Sequence, residues 1–166
     1  MASKTKSATT ARTRTKQADA IGLLKADHRQ VEGWFTQFSS SKNQQRRLRL
    51  ATQICDALTV HTTIEEEIFY PAFIEATGDK DTHHEAVVEH AGAKKLISEI
   101  QSMSPDDDYY EAKVTVLSEL IKHHVKEEEQ PGGMFSEAKK SDMDLHALGE
   151  RLKARKRELQ ATAEAA

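Results

Sequence analysis

Six residues recur in this 166-residue sequence with almost a single offset, and they constrain it more than anything else. His28 and His90 stand 62 residues apart, His61 and His124 stand 63 apart, and so do Glu65 and Glu128. The last two pairs combine into His61-x3-Glu65 and His124-x3-Glu128, and in a helix residues four apart share one face. Each motif therefore aims an imidazole and a carboxylate at one point. The apolar positions follow the same offset: Phe35 matches Ile97, Phe38 matches Ile100 and Leu58 matches Ile121. The chain reads as two similar helical hairpins packed with approximate twofold symmetry.

The helices themselves follow from periodicity. Leu24, His28, Val31, Phe35 and Phe38 keep a 3.6-residue period over a first helix from about 19 to 38. Leu50, Ile54, Leu58, His61, Glu65 and Ile68 define a second, which Pro71 kinks or ends. A third, from about 81 to 103, presents Ala86, His90, Ala93, Ile97 and Ile100 after a loop at Gly78-Asp79. Ser104-Pro105-Asp106 reads as the cap and first turn of a fourth, which carries Tyr110, Val114, Leu117, Ile121, His124 and Glu128 until Pro131-Gly132-Gly133 stops it. A shorter helix from about 142 to 159, with Leu145, Leu148 and Leu152, is expected outside the others. Short connections predict antiparallel neighbours. The expected fold is all-α: an up-down-up-down antiparallel four-helix bundle over residues 19–136, preceded by a basic, disorder-prone tail at 1–18 and followed by a C-terminal helix and Ala-rich tail at 137–166.

Composition supports that class and excludes others. With 37% hydrophobic and 31% charged residues, seven Gly and three Pro, the chain suits helices with solvated charged faces better than a β-sandwich. A net charge of -3 gives no global bias toward nucleic acid or an anionic membrane. The single cysteine, Cys55, cannot form an internal disulfide and is read as a packing residue in a reducing compartment. No apolar run reaches the roughly 20 residues of a membrane span, and no signal-peptide core is present. The expectation is a soluble, cytoplasmic protein.

Energetics turn the pattern into a site. Four imidazoles and two carboxylates buried together without a partner would cost several kcal/mol per charged group, so a cation is required among them. Two bridging carboxylates with two histidine nitrogens per ion would satisfy a dinuclear centre. Donors of this kind, without thiolate, suit iron or manganese and tolerate zinc. Asp27 and Glu89 each precede a single histidine and are read mainly as exposed, with a hydrogen-bonding role as the alternative. Glu66, Glu67, Glu127 and Glu129 are read as surface or supporting groups. His83, His84, His123 and His146 lack a counterpart on the buried stripe. Trp34, Tyr70, Tyr109 and Tyr110 are read as packing aromatics, with Tyr70 able to approach a redox metal.

The pattern Asp27-His28, His61-x3-Glu65 with Glu66 and Phe69-Tyr70-Pro71, Glu89-His90, and His124-Val125-x2-Glu128-Glu129 resembles the hemerythrin family, in its HHE cation-binding branch, over residues 20–135. That resemblance implies a non-haem centre of two iron ions, bridged by oxide or hydroxide, with His28, His61, His90, His124, Glu65 and Glu128 as ligands. Manganese and zinc rank behind iron. Oxygen-carrying hemerythrins have a further histidine where this sequence has Ala86, and a last motif one residue longer that ends in aspartate. Six protein ligands in place of seven leave a position open on each iron, which suits reaction with a small oxidant. The resemblance therefore leads to a protein that binds or reacts with O2, H2O2 or NO in oxidative or nitrosative stress. Alternatives are an oxygen or iron sensor or store without turnover, and a bundle merely stabilised by zinc or manganese.

Overall fold

The computed structural model describes residues 18–164. The expected basic tail lies outside the described residues, apart from residue 18. Helix α1 (Ala20–Ser40) starts at Asp19, whose carboxylate accepts the Gly22 N–H at 2.8 Å. Its buried stripe is Ile21, Leu24, His28, Val31, Phe35 and Phe38, the periodicity read from the sequence. Three residues later α2 (Gln44–Ile64) is capped by Asn43 accepting from the Arg46 N–H at 2.8 Å.

Pro71 does not end this helix. The chain passes through one π-helical turn (Glu65–Phe69), closed by the Tyr70 N–H on the Glu65 carbonyl, and resumes as α3 (Tyr70–Thr77). A proline lacks the N–H of the regular ladder, and the wider turn just before it accommodates that missing bond. Gly78 then closes α3 at φ 69°, a left-handed conformation that only glycine adopts without cost.

Helix α4 (Lys80–Gln101) starts at Asp79, which accepts the Thr82 N–H at 3.1 Å. The expected helix start at Ser104-Pro105-Asp106 is not observed, and α5 (Tyr110–Glu129) begins several residues later. The chain closes a separate turn there: the Asp107 carboxylate accepts the Ser104 N–H at 2.8 Å and the Asp107 N–H donates to the Ser104 carbonyl at 3.0 Å.

The four long helices form the expected square, α1 against α2, α2 against α4, α4 against α5 and α5 against α1. Two apolar clusters fill it. One gathers Phe35, Phe38, Leu50, Ile54, Leu117 and Ile121 among others, so the pairs matched by the sequence repeat share one core. The second gathers Ile21, Leu24, Ile64, Phe69, Phe73 and residues from beyond α5. Along every long helix the polar candidates sit between the two.

A short helix that the sequence reading missed, α6 (Met134–Lys140), brings Met134, Phe135 and Ala138 into the second cluster. The last helix, α7 (Leu145–Glu164), is longer than expected and packs on α1, α2 and the π turn. It lies outside the square yet belongs to the core, since Leu148 and Leu152 are buried. Gly149 permits this contact: a Cβ there would meet the Ala20 nitrogen at 2.9 Å. No helix among the described residues is long and apolar enough to cross a membrane.

Candidate metal centre

All six predicted side chains converge between the two apolar clusters, none more than 4% exposed. They form two equivalent halves. His28 Nε2 lies 3.1 Å from His61 Nε2, and His90 Nε2 lies 3.2 Å from His124 Nε2. Glu65 joins the halves: its Oε2 is 3.3 Å from both His61 Nε2 and His90 Nε2. Glu128 joins them again, with Oε2 3.4 Å from His28 Nε2 and Oε1 3.4 Å from His124 Nε2. Two groups have the spacing that could hold an ion, His28 with His61 and Glu65, and Glu65 with His90 and His124.

Each imidazole is oriented from behind by a carboxylate facing its Nδ1. Glu129 lies 2.7 Å from His28, Asp27 3.4 Å from His61, Glu66 3.0 Å from His90 and Glu89 2.7 Å from His124. Such partners fix the tautomer with Nδ1 as donor, which leaves Nε2 as a bare lone pair directed inward. Each carboxylate is itself held by a basic side chain: Arg29 on Glu129, Lys156 on Asp27, Lys94 on Glu66 and His123 on Glu89.

The hemerythrin HHE cation-binding domain profile matches residues 19–131. This chain belongs to that family. The solved structure of an HHE cation-binding domain protein from Mycobacterium kansasii superposes with a TM-score of 0.74 at 25% identity, covering 89% of this chain and 91% of that one. Among curated relatives, a protein named DNA nickase from Nostoc is 31% identical over 107 residues, 64% of this chain. An uncharacterized hemerythrin-like protein of Schizosaccharomyces pombe is 28% identical over 140 residues, 80% of this chain. The chain spans 30% and 65% of the lengths of those two relatives.

The donor set of this HHE domain fits cations. Both Glu65 carboxylate oxygens and Glu128 Oε2 are buried without a hydrogen-bond donor, a cost of about 1–3 kcal/mol or more each if nothing positive reaches them. Protons stand in when no cation is present. Burial pushes the Glu128 carboxyl up to about 8, and the neighbouring Glu65 charge adds to it. Burial also raises Glu65, but the adjacent His61 charge outweighs it and holds Glu65 well below the usual carboxylate range. His61 is opposed by burial and still rises to about 10, chiefly through the Glu65 charge. Burial, helped by the His61 charge, pushes His28 down to about 4. A cation held by either donor group would partner the Glu65 oxygens in place of those protons.

Five supporting residues were under-read in the sequence. Asp27 and Glu89 are not simply exposed, and Glu66 and Glu129 are more than surface members of glutamate runs. The clue was present, because Glu66 and Glu129 are also 63 apart. They serve across the hairpins, Glu66 on His90 and Glu129 on His28. Tyr70 is the fifth: its hydroxyl donates to Glu128 Oε1 at 3.2 Å and lies 3.1 Å from His90 Nε2. The π turn places it there, since one extra residue in the turn rotates position 70 onto the face of Glu65. His83 packs edge-on against the Tyr70 ring at 5.7 Å.

Proposed function

We propose that this HHE domain binds two iron ions, one beside His28 and His61 and one beside His90 and His124, with Glu65 and Glu128 shared between them. The observation that carries this reading is a buried Glu65 with no hydrogen-bond donor on either oxygen and a buried Glu128 with none on Oε2, set between two pairs of inward-facing imidazole nitrogens. When bound, iron supplies redox chemistry and Lewis acidity toward O2, H2O2 or NO. The chain supplies the rest: the four outer carboxylates fix the imidazole tautomers, Tyr70 offers a proton at its hydroxyl, and the apolar clusters keep bulk water away.

A small apolar cavity of about 10 Å³ supports a small ligand in particular. It touches all four histidines and is otherwise walled mainly by Val31, Leu58, Ile121 and Val125. A space of that size takes a diatomic or a single water. Phosphodiester hydrolysis is disfavoured by the same geometry, because a DNA backbone cannot reach donors that are at most 4% exposed. The cavity equally favours a second reading, reversible ligand binding by a sensor or store.

Elemental analysis and visible spectroscopy of the purified chain test the assignment. Two irons per chain are expected, with ligand-to-metal charge-transfer absorption, and His61→Ala should lose metal and that absorption. A His61→Ala protein with two irons and an unchanged spectrum would overturn the ligand set. Consumption of added peroxide separates turnover from reversible binding.

A further inference from the structure

The second half of the site borders an opening at the surface. A cavity of about 100 Å³ lies between α4, α5 and the turn after α5. His124 and Glu128, 4% and 2% exposed, are its most buried titratable lining, and Glu128 carries one oxygen, Oε2, without a hydrogen-bond donor. Ala86 contributes only a methyl group to the wall, so space remains beside the imidazole. Glu85, Glu89 and Glu127 line the cavity toward solvent, and the same three glutamates border an adjoining surface cleft of about 560 Å³. No lysine or arginine lines either one.

We propose that this acidic cavity is the portal through which divalent cations reach the centre, a proposal that rests on the metal-binding reading above. The charge distribution favours it. Around the centre, three of the four outer carboxylates are covered by a lysine or arginine, whereas Glu89 faces His123. A cation approaching elsewhere meets Arg29, Lys94 or Lys156. One approaching here meets Glu85 and Glu127, which no lysine or arginine of the lining offsets, together with Glu89, which only histidines face, and descends a negative gradient toward Glu128. Walls of low dielectric focus such a field, and steering of this kind raises on-rates by about 10-fold or more at low salt.

Stopped-flow uptake of Co2+ by the metal-free full-length chain tests this, read as the growth of cobalt absorption. In Glu85→Gln/Glu127→Gln, uptake at low ionic strength is expected to slow about 10-fold relative to the equally charged Glu75→Gln/Glu150→Gln control, with the final stoichiometry unchanged. The difference should shrink as salt screens the field. Ala86→Leu, which narrows the cavity, should slow uptake at every salt concentration, with circular dichroism verifying the fold. Equal rates for the two double variants would overturn the portal while leaving the centre standing. A wild-type chain that binds no cobalt at equilibrium would overturn both.

Discussion

The two halves of the centre are near copies on the inside and unlike on the outside. His28 with His61 and His90 with His124 repeat the same nitrogen separations to within 0.1 Å and share the same two carboxylates. Yet Phe135 of α6 stacks on the His28 ring at 5.9 Å, and Lys156 of α7 holds Asp27 behind His61. The second half has neither cover and borders the acidic cavity. Donor geometry thus comes from what the sequence repeats, the register of His-x3-Glu on paired hairpins. The outer surroundings come from what it does not repeat, the two helices after Pro131.

The largest effect should come from the residue the halves share. Glu65→Gln replaces the common carboxylate, so both ions should be lost together by elemental analysis; a variant that kept one tightly bound ion would show the halves to be independent. Next is the cover of the first half. Leu152 is fully buried, and Leu152→Ala should destabilise the fold by about 2–5 kcal/mol, read from denaturant unfolding. A loss below about 1 kcal/mol would mean that α7 is not integral to the core.

Protonation is also unequal within the site. At pH 7 the metal-free centre holds protons on His61, at about 10, and on Glu128, at about 8, while His28, at about 4, is already neutral. A cation must displace the first two, so metal affinity should rise with pH through 8 and fall below it, and binding at pH 7 should release protons. Calorimetry in buffers of different ionisation enthalpy measures that release; net proton uptake would contradict it. The smallest effect distinguishes the outer partners. Lys156→Met should weaken metal binding at the first half by about 10-fold, and His123→Gln should act on the second half alone. Equal effects of each variant on both ions would erase the distinction.

Much of this was legible in the sequence because a polar residue on an apolar stripe is conspicuous, and six of them in step are more so. The four long helices and their antiparallel order followed from the same stripes. Cys55, read as packing, is 1% exposed within the core. What stayed hidden depended on contacts between distant segments or on short-range competition. Glu66 and Glu129 sit in runs of three glutamates, where a rotation of one residue decides which of them turns inward. Lys156 is 129 positions from Asp27, and no periodicity links them. Helix α6 has seven residues, too few to show a period. The delayed start of α5 follows a turn closed between Ser104 and Asp107, whose capping residues had read as the helix start itself.

Crystals of the full-length chain grown with ferrous iron, measured for anomalous scattering at the iron edge, examine the donor set itself. Two peaks per chain are expected, one beside each imidazole pair and both against Glu65. A single peak, or iron bound away from these six side chains, would contradict the account.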